Sequence, residues 1–282
     1  MPADLHVHST ASDGTDSPSA VVELAAAAGL TTVGLTDHDT TGGWHESATA
    51  AERVGIGLVR GVEVSAQRAG ASVHVLGYLP DPAHAELAGE LERARASRVT
   101  RLDRMVERMA ADGIPVTVAS VRAQLAPGAT PGRPHIADAL VAAGVVPDRD
   151  AAFATYLSAR SRYYVSHYAP DPVRAVQLVR AAGGVAVVAH PFATYRGRTT
   201  SDALLAEMAA AGLDGIEVHH RDHDGVAVAH GLGLARDLGL LVTGSSDYHG
   251  TGKVNRLGEH TTTPEVLEEI VARASGVPVV AA

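Results

Sequence analysis

The string Asp4-Leu5-His6-Val7-His8 sets two imidazoles two residues apart. If it lies on a strand, both rings share one face and can grip a single ion. Alone such a pair says little, because core packing produces it as readily. The same residue types recur in Thr36-Asp37-His38-Asp39, in Gly61-Val62-Glu63-Val64-Ser65 and at His74. They return in Val188-Ala189-His190-Pro191 and in Ser245-Ser246-Asp247-Tyr248-His249. Imidazole nitrogen mixed with carboxylate oxygen, without sulfur, suits Mn, Zn or Fe(II) better than Ca or a lone Mg. So many donors exceed one ion's coordination sphere. Two to three divalent ions are expected, with a carboxylate bridging between them.

Something must bring these strings together. Short β-branched runs predict strands over 3–8, 32–36, 58–64, 72–78, 184–189, 215–218 and 240–243, alternating with helical stretches. Ser17-Pro18, Asp171-Pro172 and Pro264 open helices over 19–28, 173–182 and 265–275. The quoted strings fall on six of the seven strands, five of them at or just beyond the C-terminal end. In a β/α barrel those ends meet at one face, where loops assemble the active site. The rhythm predicts α/β architecture, a parallel sheet or barrel, and the clustered strand ends favour a seven-stranded, TIM-like β/α barrel. Residues 82–166 break the rhythm with helices over 83–111, 118–125, 134–143 and 150–158. They are expected to form a helical insertion domain, leaving 1–81 and 167–282 as the barrel.

Composition sets the outer limits. Apolar residues make up 46% of 282, largely Ala and Val, enough for a real core. The net charge of −9 and the lack of a long basic run argue against duplex DNA as partner. Cysteine is absent, which excludes disulfides and thiolate ligands. His6 leaves no room ahead of it for a signal peptide, and no apolar run reaches membrane-span length. A cytoplasmic protein without membrane contact is expected.

Taken in order, these strings resemble the polymerase and histidinol phosphatase (PHP) family of metal-dependent phosphoesterases. The resemblance spans the chain and implies a distorted seven-stranded barrel with a trinuclear site. It implies that His6, His8, Glu63 and Asp247 hold a first metal, and that Asp13, His38 and His249 hold a second. His74 and His190 would hold a third, with Glu63 bridging it to the first. Mn leads the implied metals, with Zn or Fe as alternatives and Mg behind them.

Gly132-Arg133-Pro134-His135 resembles the branch that removes phosphate from 3′,5′-nucleoside bisphosphates, some members of which trim short RNA from its 5′ end. Arg133 and His135 would then reach a substrate phosphate from above the metals. His167, Tyr195, Arg196 and His223 are further candidates for substrate contact, and His223 is the candidate proton donor to the leaving group. The arginines from Arg93 to Arg108 alternate with acids and read as a paired, solvated helix face. Histidinol phosphate and cyclic phosphates are the alternative substrates within the family. A metal-dependent amidohydrolase and a non-catalytic accessory domain are the rivals outside phosphatase chemistry.

Overall fold

The computed structural model describes residues 2–194 and 198–281. Its strands are β1 (Ala3–Val7), β2 (Thr32–Leu35), β3 (Gly57–Arg68), β4 (Ala71–Tyr78), β5 (Val185–Ala189), β6 (Gly215–His219) and β7 (Leu241–Gly244). They form one sheet in sequence order. Its ends approach each other through a parallel bridge between Val7 and Tyr248, so the barrel is nearly closed. Around it run α1 (Pro18–Ala27), α2 (Trp44–Val54), α7 (Pro172–Ala181), α8 (Asp202–Ala210), α9 (Gly225–Leu238) and α10 (Pro264–Arg273). Side chains cap these helices where the sequence predicts. Ser17 accepts from Ala20 N ahead of α1, and Asp171 accepts from Val173 N ahead of α7.

One strand departs from the parallel expectation. β4 runs antiparallel to both β3 and β5, with His74 opposite Ser65 and Ala189. Ala69 (φ 49°) and Gly70 (φ 77°) make the tight turn between β3 and β4, which leaves no room for a crossover helix. This reversal brings the start of β4, and with it His74, to the face where the other strands end.

Alternation along the strands separates core from site. Val59 of β3, with Leu76 and Tyr78 of β4, joins an apolar cluster with Val185, Val187 and Ile270 of α10. The same strand faces carry Glu63 and His74 farther along. Between β4 and α7 the described residues form only helices and loops. The helices are α3 (Ala85–Ala111), α4 (Val118–Arg122), α5 (Arg133–Ala142) and α6 (Arg149–Ala152). A single π turn, Phe153–Leu157, replaces the second half of the expected 150–158 helix. The C-terminal part of α3 packs with α4 and α5 around Met105, Met109, Ile136 and Leu140. Its N-terminal part, Leu87 and Leu91, packs instead on the barrel's outer cluster. No helix among the described residues is long and apolar enough to cross a membrane.

Candidate metal centre

β1 delivers His6 and His8, both fully buried, to the end of the barrel where β2 and β5 also finish and β3 carries Glu63. Their Nε2 atoms are 3.1 Å apart. Glu63 Oε2 lies 3.4 Å from the first and 3.1 Å from the second. Asp247 Oδ1 lies 3.4 and 3.3 Å from the same two nitrogens. Donors bonded to one ion at about 2.0–2.2 Å stand roughly 3.0–3.5 Å from each other. These five separations fall in that window.

Glu63 divides its oxygens. Oε2 faces His6, His8 and His38 Nδ1, the last at 3.0 Å, whereas Oε1 lies 2.7 Å from His74 Nδ1 and 3.2 Å from His190 Nε2. His38 Nδ1 and Glu63 Oε2 are close and buried, yet neither makes a hydrogen bond. Such a pair of lone-pair donors is what a cation between them would satisfy. A further group joins His8, Asp13, His38 and His249, their donor atoms all within 4.8 Å of one another. The residues present fit divalent ions.

The rings are oriented from behind. Glu217 Oε1 meets His6 Nδ1 at 3.1 Å, which puts the proton on Nδ1 and turns Nε2 to the cluster. The other Glu217 oxygen accepts from His190 N at 2.8 Å. His249 Nδ1 donates to Asp247 O, and Lys253 Nζ donates to Asp247 Oδ2, each at 2.8 Å. His190 and Asp247 both adopt left-handed backbone, φ 29° and 53°, an energetic cost that recurs where function needs a sharp turn.

Electrostatics tell the same story. Burial works to raise the Glu63 carboxyl, but the imidazoles of His38, His74 and His6 hold it well below the carboxylate range. Burial works to lower His8, but Asp247 and Glu63 push it up to about 9. Burial also opposes the charged form of His6, and the carboxylates of Glu217, Glu63 and Asp247 overcome it. The cluster calls for positive charge.

The PHP domain model matches residues 4–89, the stretch holding β1 to β4. A 3′,5′-nucleoside bisphosphate phosphatase from Chromobacterium violaceum is 38% identical over 259 residues, 92% of this chain and 90% of that one. A phosphoribosyl 1,2-cyclic phosphate 1,2-diphosphodiesterase from Eggerthella lenta is also 38% identical, over 92% of this chain and 98% of that one. The crystal structure of a candidate metal-dependent phosphoesterase from Bifidobacterium adolescentis superposes with a TM-score of 0.94 at 42% identity, covering 98% of each chain. The chain belongs to the PHP family. It is a metal-dependent phosphoesterase.

In this PHP enzyme the expected substrate residues go separate ways. Arg133 opens α5 and turns toward α3, donating to Leu157 O at 2.8 Å. His135, two residues on, lines a different cleft with Gln124 and Arg149, and its Nδ1 accepts from Gly132 N. His167 stands beside Arg133, Arg98 and Arg101; burial and these cations push its pKa down to about 2. Tyr195 and Arg196 lie outside the described residues.

Two expectations need correcting. His223 is no free proton donor: Nδ1 meets Val218 O at 2.9 Å, and Nε2 accepts from Phe192 N at 3.2 Å. Both nitrogens are tied to backbone, so the ring pins two segments together. Two of the α3 arginines leave the solvated face to which Arg93, Arg104 and Arg108 belong. Arg98 and Arg101 are 8% and 7% exposed, and Arg101 and Arg108 donate to the carbonyls of Val165 and Tyr164.

Glu217, Lys253 and Arg98 were not singled out from sequence as site residues. Glu217 had a signal, a lone acid between Ile216 and Val218 on an apolar strand. Lys253 had none, since it sits in an ordinary polar loop.

Proposed function

We propose that the chain hydrolyses a phosphate monoester of a small nucleotide, most specifically a 3′,5′-nucleoside bisphosphate to a mononucleotide and phosphate. The observation that carries it is the split coordination face of Glu63, joined to an arginine-lined recess on the insertion side. One phosphate has donors for metals, and another has guanidinium groups. The Chromobacterium violaceum relative acts on a substrate of this class.

In this reading two to three ions, Mn first, are held by His6, His8, Asp13, His38, Glu63, His74, His190, Asp247 and His249. When bound they supply Lewis acidity to the phosphoryl group and a lowered pKa to water. Glu63 spans two positions, Glu217 fixes the His6 ring, and Lys253 occupies the Asp247 oxygen turned away from His6. Residues 82–166 act as a unit covering the metals and carry Arg133 over the substrate. Short RNA with a 5′ phosphate presents the same groups.

The Eggerthella lenta relative, equal in identity, favours a second reading in which the substrate is a cyclic sugar phosphate. A substrate panel on Mn-loaded protein separates the two, with nucleoside bisphosphates, monophosphates, cyclic sugar phosphates, short 5′-phosphorylated RNA and histidinol phosphate. The bisphosphate should give the highest kcat/KM. In Arg133→Ala the ratio of bisphosphate to aryl phosphate kcat/KM should fall by about 10- to 150-fold, the worth of a charged hydrogen-bond pair. A ratio that stays constant removes Arg133 from recognition, and a cyclic phosphate at the head of the panel replaces the first reading with the second.

A further inference from the structure

The candidate ligands are not held alike. His6, Glu63 and His74 stand within strands, whose ladders fix them. Asp13 and His249 stand on loops, one between β1 and α1 and the other after β7. Loops hold side chains less precisely than strands do, so these two need support from outside. Part of it comes from one loop to the other. Thr15 N donates to His249 O at 3.2 Å, Thr251 N donates to Thr15 Oγ1 at 2.9 Å, and Tyr248 Oη donates to Asp16 Oδ2 at 2.9 Å. Gly250, at φ 67°, lets the loops close on each other, because a Cβ there would collide with Thr15 Oγ1 and Asp16 Oδ2.

The rest comes from the insertion. Arg149 opens α6, and its Nε and Nη2 donate to the two oxygens of Asp138 in α5, at 2.6 and 2.7 Å. That fork aims the third nitrogen, Nη1, out of the insertion and onto the barrel. Nη1 donates to Asp13 O at 3.3 Å and lies against Gly252, in the short 3₁₀ turn Gly250–Gly252 that follows His249. A Cβ on Gly252 would occupy the space of the guanidinium. Only 14% of the Arg149 side chain is exposed, so water competes little for these charge-assisted contacts.

One side chain of the insertion thus touches both loops. Their ligands face each other, with His249 Nε2 3.3 Å from Asp13 Oδ1. We infer that Arg149 is a positioning residue, through which the insertion sets the spacing of Asp13 and His249. One ion position is then completed by the insertion, and the other is built within the barrel, where Glu217 and Lys253 orient His6 and Asp247. The inference rests on the metal role proposed for Asp13 and His249. Arg149 acts on them as outer contacts act on metal ligands elsewhere, by restricting where a donor atom can point.

The test compares ion positions, not turnover. Full-length protein stripped of metal is titrated with Mn against a competing indicator, and Mn anomalous scattering in crystals gives occupancy position by position. Arg149→Met should weaken one binding step by about 10- to 100-fold and empty the position at Asp13, His38 and His249. The position at His6, His8 and Asp247 should stay filled, and excess Mn should refill the emptied one. Arg122→Met, which removes an exposed insertion arginine paired with Asp103, should change neither.

Arg149→Met also leaves the Asp138 carboxylate unpaired. Combining it with Asp138→Asn removes that charge, and should keep the metal defect while regaining stability. Gly252→Ala should reproduce the defect with Arg149 and Asp138 both present, because the added Cβ evicts the guanidinium. Recovery of affinity in the double variant, or equal loss at every position with a lowered melting temperature, makes Arg149 a structural residue and overturns the inference. So does full occupancy beside Asp13 and His249 in all three variants. Wild-type protein that takes no ion there overturns the metal role of Asp13 and His249, and the inference with it.

Discussion

His6 and His8 retain protons in the metal-free protein because buried carboxylates surround them. The sign of the resulting pH dependence follows. His8 has a folded pKa of about 9, above the roughly 6.5 of an unfolded imidazole. Its contribution to stability is whole below pH 6.5 and is lost as the pH climbs through 9. Chelated protein should therefore melt at progressively lower temperature from pH 6.5 to 9, while metal-loaded protein changes little. Metal uptake must displace the same protons, so affinity should rise with pH by up to about tenfold per unit for each proton released. Calorimetry with and without chelator checks this; a metal-induced gain that is constant across the window contradicts it. Glu217 carries a second test. Glu217→Gln leaves the ligands intact but weakens the hold on His6, so metal affinity should drop by about 10- to 100-fold. Titration with Mn in a competing indicator would reveal it, and unchanged affinity would make Glu217 a mere core acid. His8, His38, Asp247 and His249 were legible because each stands in a short polar break just past a strand end, whereas Glu63 and His74 lie within β3 and β4 and Asp13 came only with the family resemblance. Glu217 was missed because an acid inside an apolar strand announces burial, not its partner.

Elements were legible within one or two residues wherever periodicity and caps agreed, as for α1, α7 and β5. Two readings failed for identifiable reasons. The strand around Ser65 was ended too early, and the short gap before His74 was not weighed against the dozen or so residues a parallel crossover needs. Arg98 and Arg101 were read for charge alternation when their seam spacing with Leu87, Leu91 and Met105 was the stronger signal. That seam gives an element-scale prediction. Arg98 ties α3 to the β2 and β3 ends through Asp39, itself fully buried at φ 52°, and through Ser65. Arg98→Ala strands the Asp39 charge in the core, and should cost about 3–5 kcal/mol in urea unfolding. A loss below about 1 kcal/mol would mean that water reaches Asp39 freely.

For the molecule as a whole, elemental analysis of Mn-supplied protein should find two to three ions per chain, and Glu63→Gln should lower occupancy at more than one position. A single retained ion in a fully active sample would defeat the shared role of Glu63. The reversed strand β4 has a mechanical corollary. Its last residue, Tyr78, and the following Leu79 lie beside Val185 and Arg60, at the end of the barrel away from the metals. The chain therefore leaves the barrel from its foot, and the 27 residues of α3 form a mast about 40 Å long that carries the remaining helices back up. Leu87 and Leu91 step the mast against the wall, and Arg101 rides about 24 Å above its base. A tilt of roughly 5° about that base swings Arg101 by about 2 Å, enough to make or break a hydrogen bond such as the one it donates to Val165 O. In the proposed reading, where residues 82–166 cover the metals, leverage at the foot of the barrel would set the height of that cover.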